Sequence, residues 1–175
     1  VDAFGQVQLP TLSTSPHLVT VQLVNHETGT LQPISALVKA FPDSLFHCDA
    51  AQAVGKLPVH FRDLGVTSLS LSAHKFGGPK GCGALLLNRS AKLVPQLFGG
   101  HQQQGRRPGT ESASLAVGLA TALAIRVRAW QENFQHVTTL KAELLARLSR
   151  EAAPVVVNGR ASGASSGTQG VCLRP

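Results

Sequence analysis

The sequence predicts an α/β fold, on three observations. Short β-branched or apolar runs end in polar residues, segments with helical apolar spacing lie between and after them, and the loops that join them are short and polar. The first run, "LVTVQLVN" from Leu18 to Asn25, is rich in β-branched residues and stops at the polar loop "HETGT". "PISALVKAF" then sets Ile34, Leu37, Val38 and Phe41 at helical intervals and ends at Pro42-Asp43. "SLFHCDA" is a second strand ending at Asp49, "VTSLSLSA" a third that runs into His74-Lys75, and "GALLLN" a fourth. After the Gly-rich polar loop "FGGHQQQGRRPGTES", Thr110 followed by Glu111 is read as a helix start, with Pro108 and Gly109 shaping the entry. "SLAVGLATALAIRVRAW" is an Ala/Leu-rich helix. "ENFQHVTTLKAELLARLSREA" is another, with Phe134, Val137, Leu140, Leu144 and Leu148 at helical intervals. Pro154 ends it, "VVVNG" begins new strand material, and "RASGASSGTQG" reads as a flexible connection. A boundary is expected at Trp130 to Glu132, giving a sheet-bearing unit over 1–130 and the start of a second unit over 131–175.

Composition narrows the function classes. With 14% charged residues and 43% hydrophobic ones, the chain can bury a core. Its net charge of +7 is spread out, Arg106-Arg107 being the densest cluster, and aromatics make up only 5%, so a nucleic-acid partner is not expected. No apolar run approaches membrane-spanning length, so no membrane partner is expected either. Cys48, Cys82 and Cys172 are odd in number, far apart and embedded in apolar runs, which reads as buried, reduced thiols. No Cys-x-x-Cys pair exists, and no metal is expected. The absence of Met, even at position 1, and the strand-like ending "GVCLRP" are read as marks of an internal piece of a longer protein. The expected location is the cytoplasm, with a mitochondrial one left open by the N-terminus.

Ligands of open α/β sheets sit beyond the carboxyl ends of the strands. Four polar groups fall at such places: Asn25-His26, Asp49 with Gln52, Ser72-His74-Lys75, and Thr110. A carboxylate, a lysine, and hydroxyl and imidazole donors together suit a ligand with a ring nitrogen, an aldehyde and a phosphate. Pyridoxal 5'-phosphate is such a ligand. Lysine condenses with its aldehyde, a carboxylate keeps its ring nitrogen protonated, and hydroxyls, imidazole and a helix N-terminus suit its phosphate. Desolvation and neighbouring cations can free a lysine amine that is normally protonated. Each residue also has a plainer reading: Lys75 at the surface, Asp49 capping a helix implied by "AAQAVG", His74 half-buried, Thr110 an ordinary cap. Their joint order favours the ligand. "GGPKG" is no phosphate loop, since it lacks the G-x-x-x-x-G-K-[ST] spacing.

The strings "NHETGT", "HCDAAQAVGK", "SLSAHKFGGPKGCGALLL" and "FGGHQQQGRRPGTES" resemble the cysteine desulfurase and selenocysteine lyase family, pyridoxal-phosphate enzymes of the class V aminotransferase group. The resemblance implies transferase fold type I, with 1–130 part of the large cofactor-binding domain and 131–175 the start of the small one. It implies that Lys75 bonds the cofactor, Asp49 pairs with the pyridine nitrogen, Gln52 bonds the ring hydroxyl, and Ser72 and His74 hold the phosphate. Thr110 matches a threonine that reaches the phosphate of a partner subunit, which implies a homodimer. His26 stands where the family has an asparagine against the cofactor, and an imidazole can still donate there. Gln103 stands where the family's loop is acidic. The implied reaction removes sulfur from L-cysteine, leaving alanine and an enzyme persulfide, with a possible sulfur-acceptor protein. The cysteine that attacks sulfur in the family has no counterpart among Cys48, Cys82 and Cys172. Selenocysteine as substrate, another class V reaction, and an inactive truncated remnant are the alternatives.

Overall fold

In the computed structural model, which describes residues 1–152 together with Pro154, Val155 and Val157, the four strand-like runs form one sheet. Its strands are β1 (Leu18–Gln22), β2 (Leu45–Asp49), β3 (Ser68–Ser72) and β4 (Gly83–Leu87), in that spatial order. The first three are parallel, and β4 runs antiparallel to β3. Helix α1 (Ile34–Ala40) carries the crossover from β1 to β2, as its apolar spacing predicted, and buries Ile34 and Leu37 against the sheet. The short α2 (Phe61–Leu64) lies in the crossover from β2 to β3.

The register decides where chemistry can occur. Gln22 pairs with Asp49, and Asp49 with Ser70, so the carboxyl ends of all three parallel strands meet at one edge. Alternation along the strands separates two faces. Phe46, Cys48 and Leu69 enter the core, while His47, Asp49, Ser68, Ser70 and Ser72 take the other face. That second face is polar but bonded: His47 Nδ1 lies 2.8 Å from Ser68 Oγ. The buried polar residues near β1 are satisfied as well. Gln32 accepts from Val7 N–H (2.8 Å) and donates to the Gly5 carbonyl (2.9 Å), which ties the N-terminal segment to the sheet.

Two long helices close the described chain, α3 (Ala113–Arg128) and α4 (Trp130–Glu151), meeting at Ala129 with a bend of 68°. The start of α3 differs from the sequence expectation. Its capping hydroxyl is that of Ser112, which accepts from Leu115 N–H, while Thr110 lies two residues upstream in the loop. Glu111 is turned back to the loop by Gln103, whose Nε2 donates to its carboxylate at 2.8 Å, so the first residues after Thr110 do not coil. Nor does "AAQAVG" form a helix. Ala53 and Val54 N–H both return to the Ala50 carbonyl, and Gly55 at φ +77° breaks the turn there. On α4 the predicted apolar stripe exists, but Val137, Leu140 and Leu144 are about half exposed in this chain. Among the described residues, no single helix is long and apolar enough to cross a membrane. Most of the predicted strand "VVVNG", the connection after it and Cys172 lie outside the described residues.

Candidate active site

The chain leaves β3 at Ser72 directly into one 3-10 turn, Ala73–Phe76. Side chains three residues apart are aligned in that geometry. Ala73 and Phe76 therefore drop together into the core, at 0% and 2% exposure, and His74 and Lys75 between them face outward. The turn is anchored at both ends. Ala73 N–H donates to the Cys82 carbonyl (3.1 Å) and Gly78 N–H to that of Ala73 (2.9 Å), while the Phe76 carbonyl accepts from Arg126 Nε of α3 (3.1 Å). A small residue, two polar ones and an aromatic thus give an exposed amine on a fixed backbone.

Around it stand the other residues read from the sequence. Asp49, at the end of β2, is exposed, and its Oδ1 accepts from Ala51 N–H at 2.9 Å, leaving Oδ2 without a partner among the described residues. Gln52 sits half-buried in the following turn, where its Oε1 accepts from Lys56 Nζ. Ser72 Oγ lies 2.9 Å from His74 Nδ1. If the hydroxyl donates, the ring carries its proton on Nε2; if Nδ1 donates, the hydroxyl proton is free. Either way the pair keeps one donor for an anion. The register sets the ends of β2 and β3 side by side, so that Asp49 and Gln52, which end and follow β2, and Ser72, His74 and Lys75, which end and follow β3, fall at the same edge of the sheet.

Among the described residues only Ser72 and His74 of these are joined by a hydrogen bond, and the remaining two predicted residues lie on other loops. His26 lies in the turn after β1, shaped by Asn25 Oδ1 accepting from Glu27 and Thr28 N–H (2.9 and 3.0 Å), and its exposed ring has Glu27 Oε1 at 3.9 Å. Thr110 is exposed in the loop before α3. Nor does an ion pair join Lys75 to Asp49 among the described residues.

Lys75 instead borders a cavity of about 260 Å³, lined also by Lys56, Phe76, Arg126, Trp130 and Phe134. Sequence reasoning missed Lys56 and Arg126 as members of the site. The four-residue step from Gln52 to Lys56 was a readable signal; Arg126, on a distant helix, left none. Burial, and then the charges of Lys75 and Arg126, push the Lys56 amine below its ordinary range. Its position is fixed by Gly55, where an added Cβ would lie 2.5 Å from Phe76 Cβ. A larger recess of about 430 Å³, bordered by Leu23, Pro33, Leu57 and His60, holds none of the candidate residues.

Of the two cysteines among the described residues, Cys48 is buried and Cys82 only partly so. Cys48 is fully buried, and burial, with the neighbouring Asp49 carboxylate, pushes its thiol up to about 11. It stays protonated at neutral pH and is a poor nucleophile. Cys82 is half-buried, its thiol directed at the Leu115 carbonyl of α3 (3.5 Å).

The donor set fits the inferred cofactor. An exposed amine on a fixed turn suits an aldehyde, a carboxylate with one free oxygen suits a protonated ring nitrogen, and the Ser72–His74 pair suits a phosphate. Parallel strands with chemistry at their carboxyl edge and a lysine-bearing turn after β3 define the class: an α/β protein of pyridoxal-phosphate-dependent transferase fold type I. Comparison with known proteins gives the family. The aminotransferase class-V family model matches residues 5–168, and the chain belongs to that family. It is 49% identical over 113 residues to a cysteine desulfurase of Enterobacter agglomerans, covering 63% of this chain and 28% of that protein. The solved structure of a NifS-like protein superposes with a TM-score of 0.80 at 34% identity, over 89% of this chain and 45% of that one. SspA, solved in complex with cysteine, superposes at 0.69 with 32% identity, over 90% and 45% of the respective chains. The chain spans less than half the length of these relatives.

Proposed function

We propose that this chain forms the cofactor-holding part of a pyridoxal-phosphate-dependent cysteine desulfurase, residues 1–130 belonging to the large domain and 131 onward beginning the small one. The observation that carries the reading is the exposed Lys75 on its anchored turn, at the sheet edge where Asp49, Ser72 and His74 also end. Similarity to named cysteine desulfurases supports the reaction, and the cysteine bound by SspA supports an amino-acid substrate. When bound, pyridoxal phosphate supplies an aldehyde for an amine and a protonated ring that withdraws electrons.

In this reading Lys75 holds the cofactor at its aldehyde carbon, Asp49 at the ring nitrogen, Gln52 at the ring hydroxyl, and Ser72 and His74 at the phosphate. His26 lies against the ring. Thr110 reaches the phosphate held by a second copy of the chain, which makes the enzyme a homodimer. The Asp49 carboxylate keeps a proton on the ring nitrogen, because an adjacent negative charge favours the protonated form. When free of the cofactor, the Lys75 amine would be the base that moves a proton at the substrate Cα. L-Cysteine would lose its sulfur to a cysteine thiolate of the whole protein and leave as alanine, with an acceptor protein collecting the sulfur. Buried Cys48 cannot serve as that thiolate.

The test is borohydride trapping. The protein is incubated with pyridoxal phosphate, reduced, digested and searched by mass spectrometry for the modified peptide. A single adduct on Lys75, absent from Lys75→Ala, supports the reading; adducts spread over surface lysines and unchanged in that variant refute it. Assaying alanine plus sulfide against amino transfer to a keto acid then separates desulfuration from transamination.

A further inference from the structure

Lys56 belongs to no role assigned so far, yet the structure holds it beside the site. We propose that Lys56 is a positioning residue for Gln52, fixing its side-chain amide so that Nε2 is presented as the donor to the cofactor's ring hydroxyl. The inference rests on the reading in which Gln52 meets that hydroxyl. Three observations support it.

First, Lys56 Nζ donates to Gln52 Oε1. An ammonium group has no acceptor, so only the oxygen end of the amide can face it. The two ends of a glutamine amide are otherwise nearly equivalent in shape, and nothing else among the described residues bonds the Gln52 amide. Removing Lys56 frees it to present either end.

Second, the pairing is built by the backbone. The turn after β2 closes through Val54 N–H to the Ala50 carbonyl (3.0 Å) and Leu57 N–H to that of Ala53 (2.9 Å). Gly55, between them in the chain at φ +77°, is packed on buried Phe76, where a side chain would have no room. Gln52 and Lys56 are thereby placed four residues apart on one turn rather than meeting by chance at a surface.

Third, Lys56 is held there against opposition. Burial, and then the charges of Lys75 and Arg126, which line the same cavity, disfavour its charge, and no carboxylate forms an ion pair with it among the described residues. Arg126 is already engaged by the Phe76 carbonyl, so its role is to pin the turn, whereas among the described residues the Lys56 ammonium bonds Gln52 alone. A cation kept next to the amine-bearing turn, bonded to a neutral amide, is better explained by what it does to that amide than by its own stability.

The experiment is a double-mutant cycle on the cofactor-loaded protein. Lys56→Met, Gln52→Ala and the double variant are compared with the parent for pyridoxal phosphate affinity and for the pH midpoint of the bound cofactor's visible absorption. Lys56→Met is expected to weaken binding about three- to tenfold, as for one lost hydrogen bond to a polar partner. It should move the midpoint in the same direction as Gln52→Ala, and the double variant should go no further than Gln52→Ala alone. Lys56→Arg, which keeps a donor and its charge, should return both readings toward the parent, and it gives a second folded variant if Lys56→Met is unstable. A Lys56→Met protein that matches the parent overturns the proposal. So do shifts that add in the double variant, because they would show Lys56 acting on Lys75 by charge alone. The parent's own trapping result separates the two levels: a Lys75 adduct with no coupling refutes only the role of Lys56, and a parent without that adduct overturns both.

Discussion

Replacing Gly55 by alanine tests whether the turn carrying Gln52 and Lys56 is braced against the turn carrying Lys75. Two costs follow from the structure. At φ +77° an L-residue is in the left-handed region, at about 1–2 kcal/mol. The new methyl would lie 2.5 Å from Phe76 Cβ, and Phe76 is buried at 2% exposure with its carbonyl held by Arg126, so it cannot step aside cheaply. Overpacking of this kind costs about 1–3 kcal/mol. Against these, losing glycine's freedom in the unfolded chain returns about 0.4–1 kcal/mol. The net expectation is a destabilisation of about 1–5 kcal/mol, or a melting temperature lower by about 2–20 °C for a chain of this size. Gly81→Ala is the control. Gly81 has φ +83° but no atom within 4 Å of an added Cβ, so it carries the backbone cost without the contact. Thermal melts of both variants, with the yield of the Lys75 adduct, form the assay. Gly55→Ala should melt below Gly81→Ala and trap less cofactor, because Phe76 is the residue next to Lys75. Equal melting of the two variants would refute the bracing argument, and an unchanged adduct yield in a destabilised Gly55→Ala would refute its link to the site.

Two further outcomes follow. Asp49→Asn keeps an oxygen to accept from Ala51 N–H, so thermal stability should stay within about 0.5 kcal/mol of the parent, while cofactor affinity falls with the lost negative charge; equal losses of both in melting and titration would mean the carboxylate is structural. Cys48 holds its proton more tightly folded, at about 11, than at its ordinary 9.0, so its contribution is full below pH 9 and is lost as pH rises through 11, about 3 kcal/mol in all. The stability gap between the parent and Cys48→Ala, read from urea unfolding, should therefore narrow over that range, and parallel pH profiles would refute the burial argument.

How much of the fold was legible depended on the range of the interaction that fixes each element. The strands and α1 were legible because alternation and helical spacing are local, and Pro42 and the Asp49 loop punctuate them. The start of α3 was misread by two residues because Thr110 and Ser112 are both good caps. The choice between them is made by Gln103, which draws Glu111 into the loop from eight residues away. The stripe on α4 was read correctly as amphipathic, but the pattern does not say what covers it, and in this chain its middle is half exposed.

The same division runs through the candidate site. Asp49, Gln52, Ser72, His74 and Lys75 are each placed by a strand end or by the turn that follows it, so their order along the sequence already contains their grouping once the strands are known to be parallel. What surrounds Lys75 is placed differently. Arg126 reaches the Phe76 carbonyl across fifty residues, and Lys56 is brought beside Lys75 only because Gly55 packs on Phe76. These contacts are non-local: the step from Gln52 to Lys56 is readable within its own turn, but nothing in residue type or spacing announces that this turn packs beside Lys75. On the proposed reading, the local pattern specifies which groups would meet a cofactor, and the long-range packing specifies how those groups are oriented and charged. A variant at Lys56, Gly55 or Arg126 should accordingly retain the identity of the site while changing its tuning. That is a different failure from the loss of Lys75, and trapping yield and absorption midpoint measured on the same sample distinguish the two.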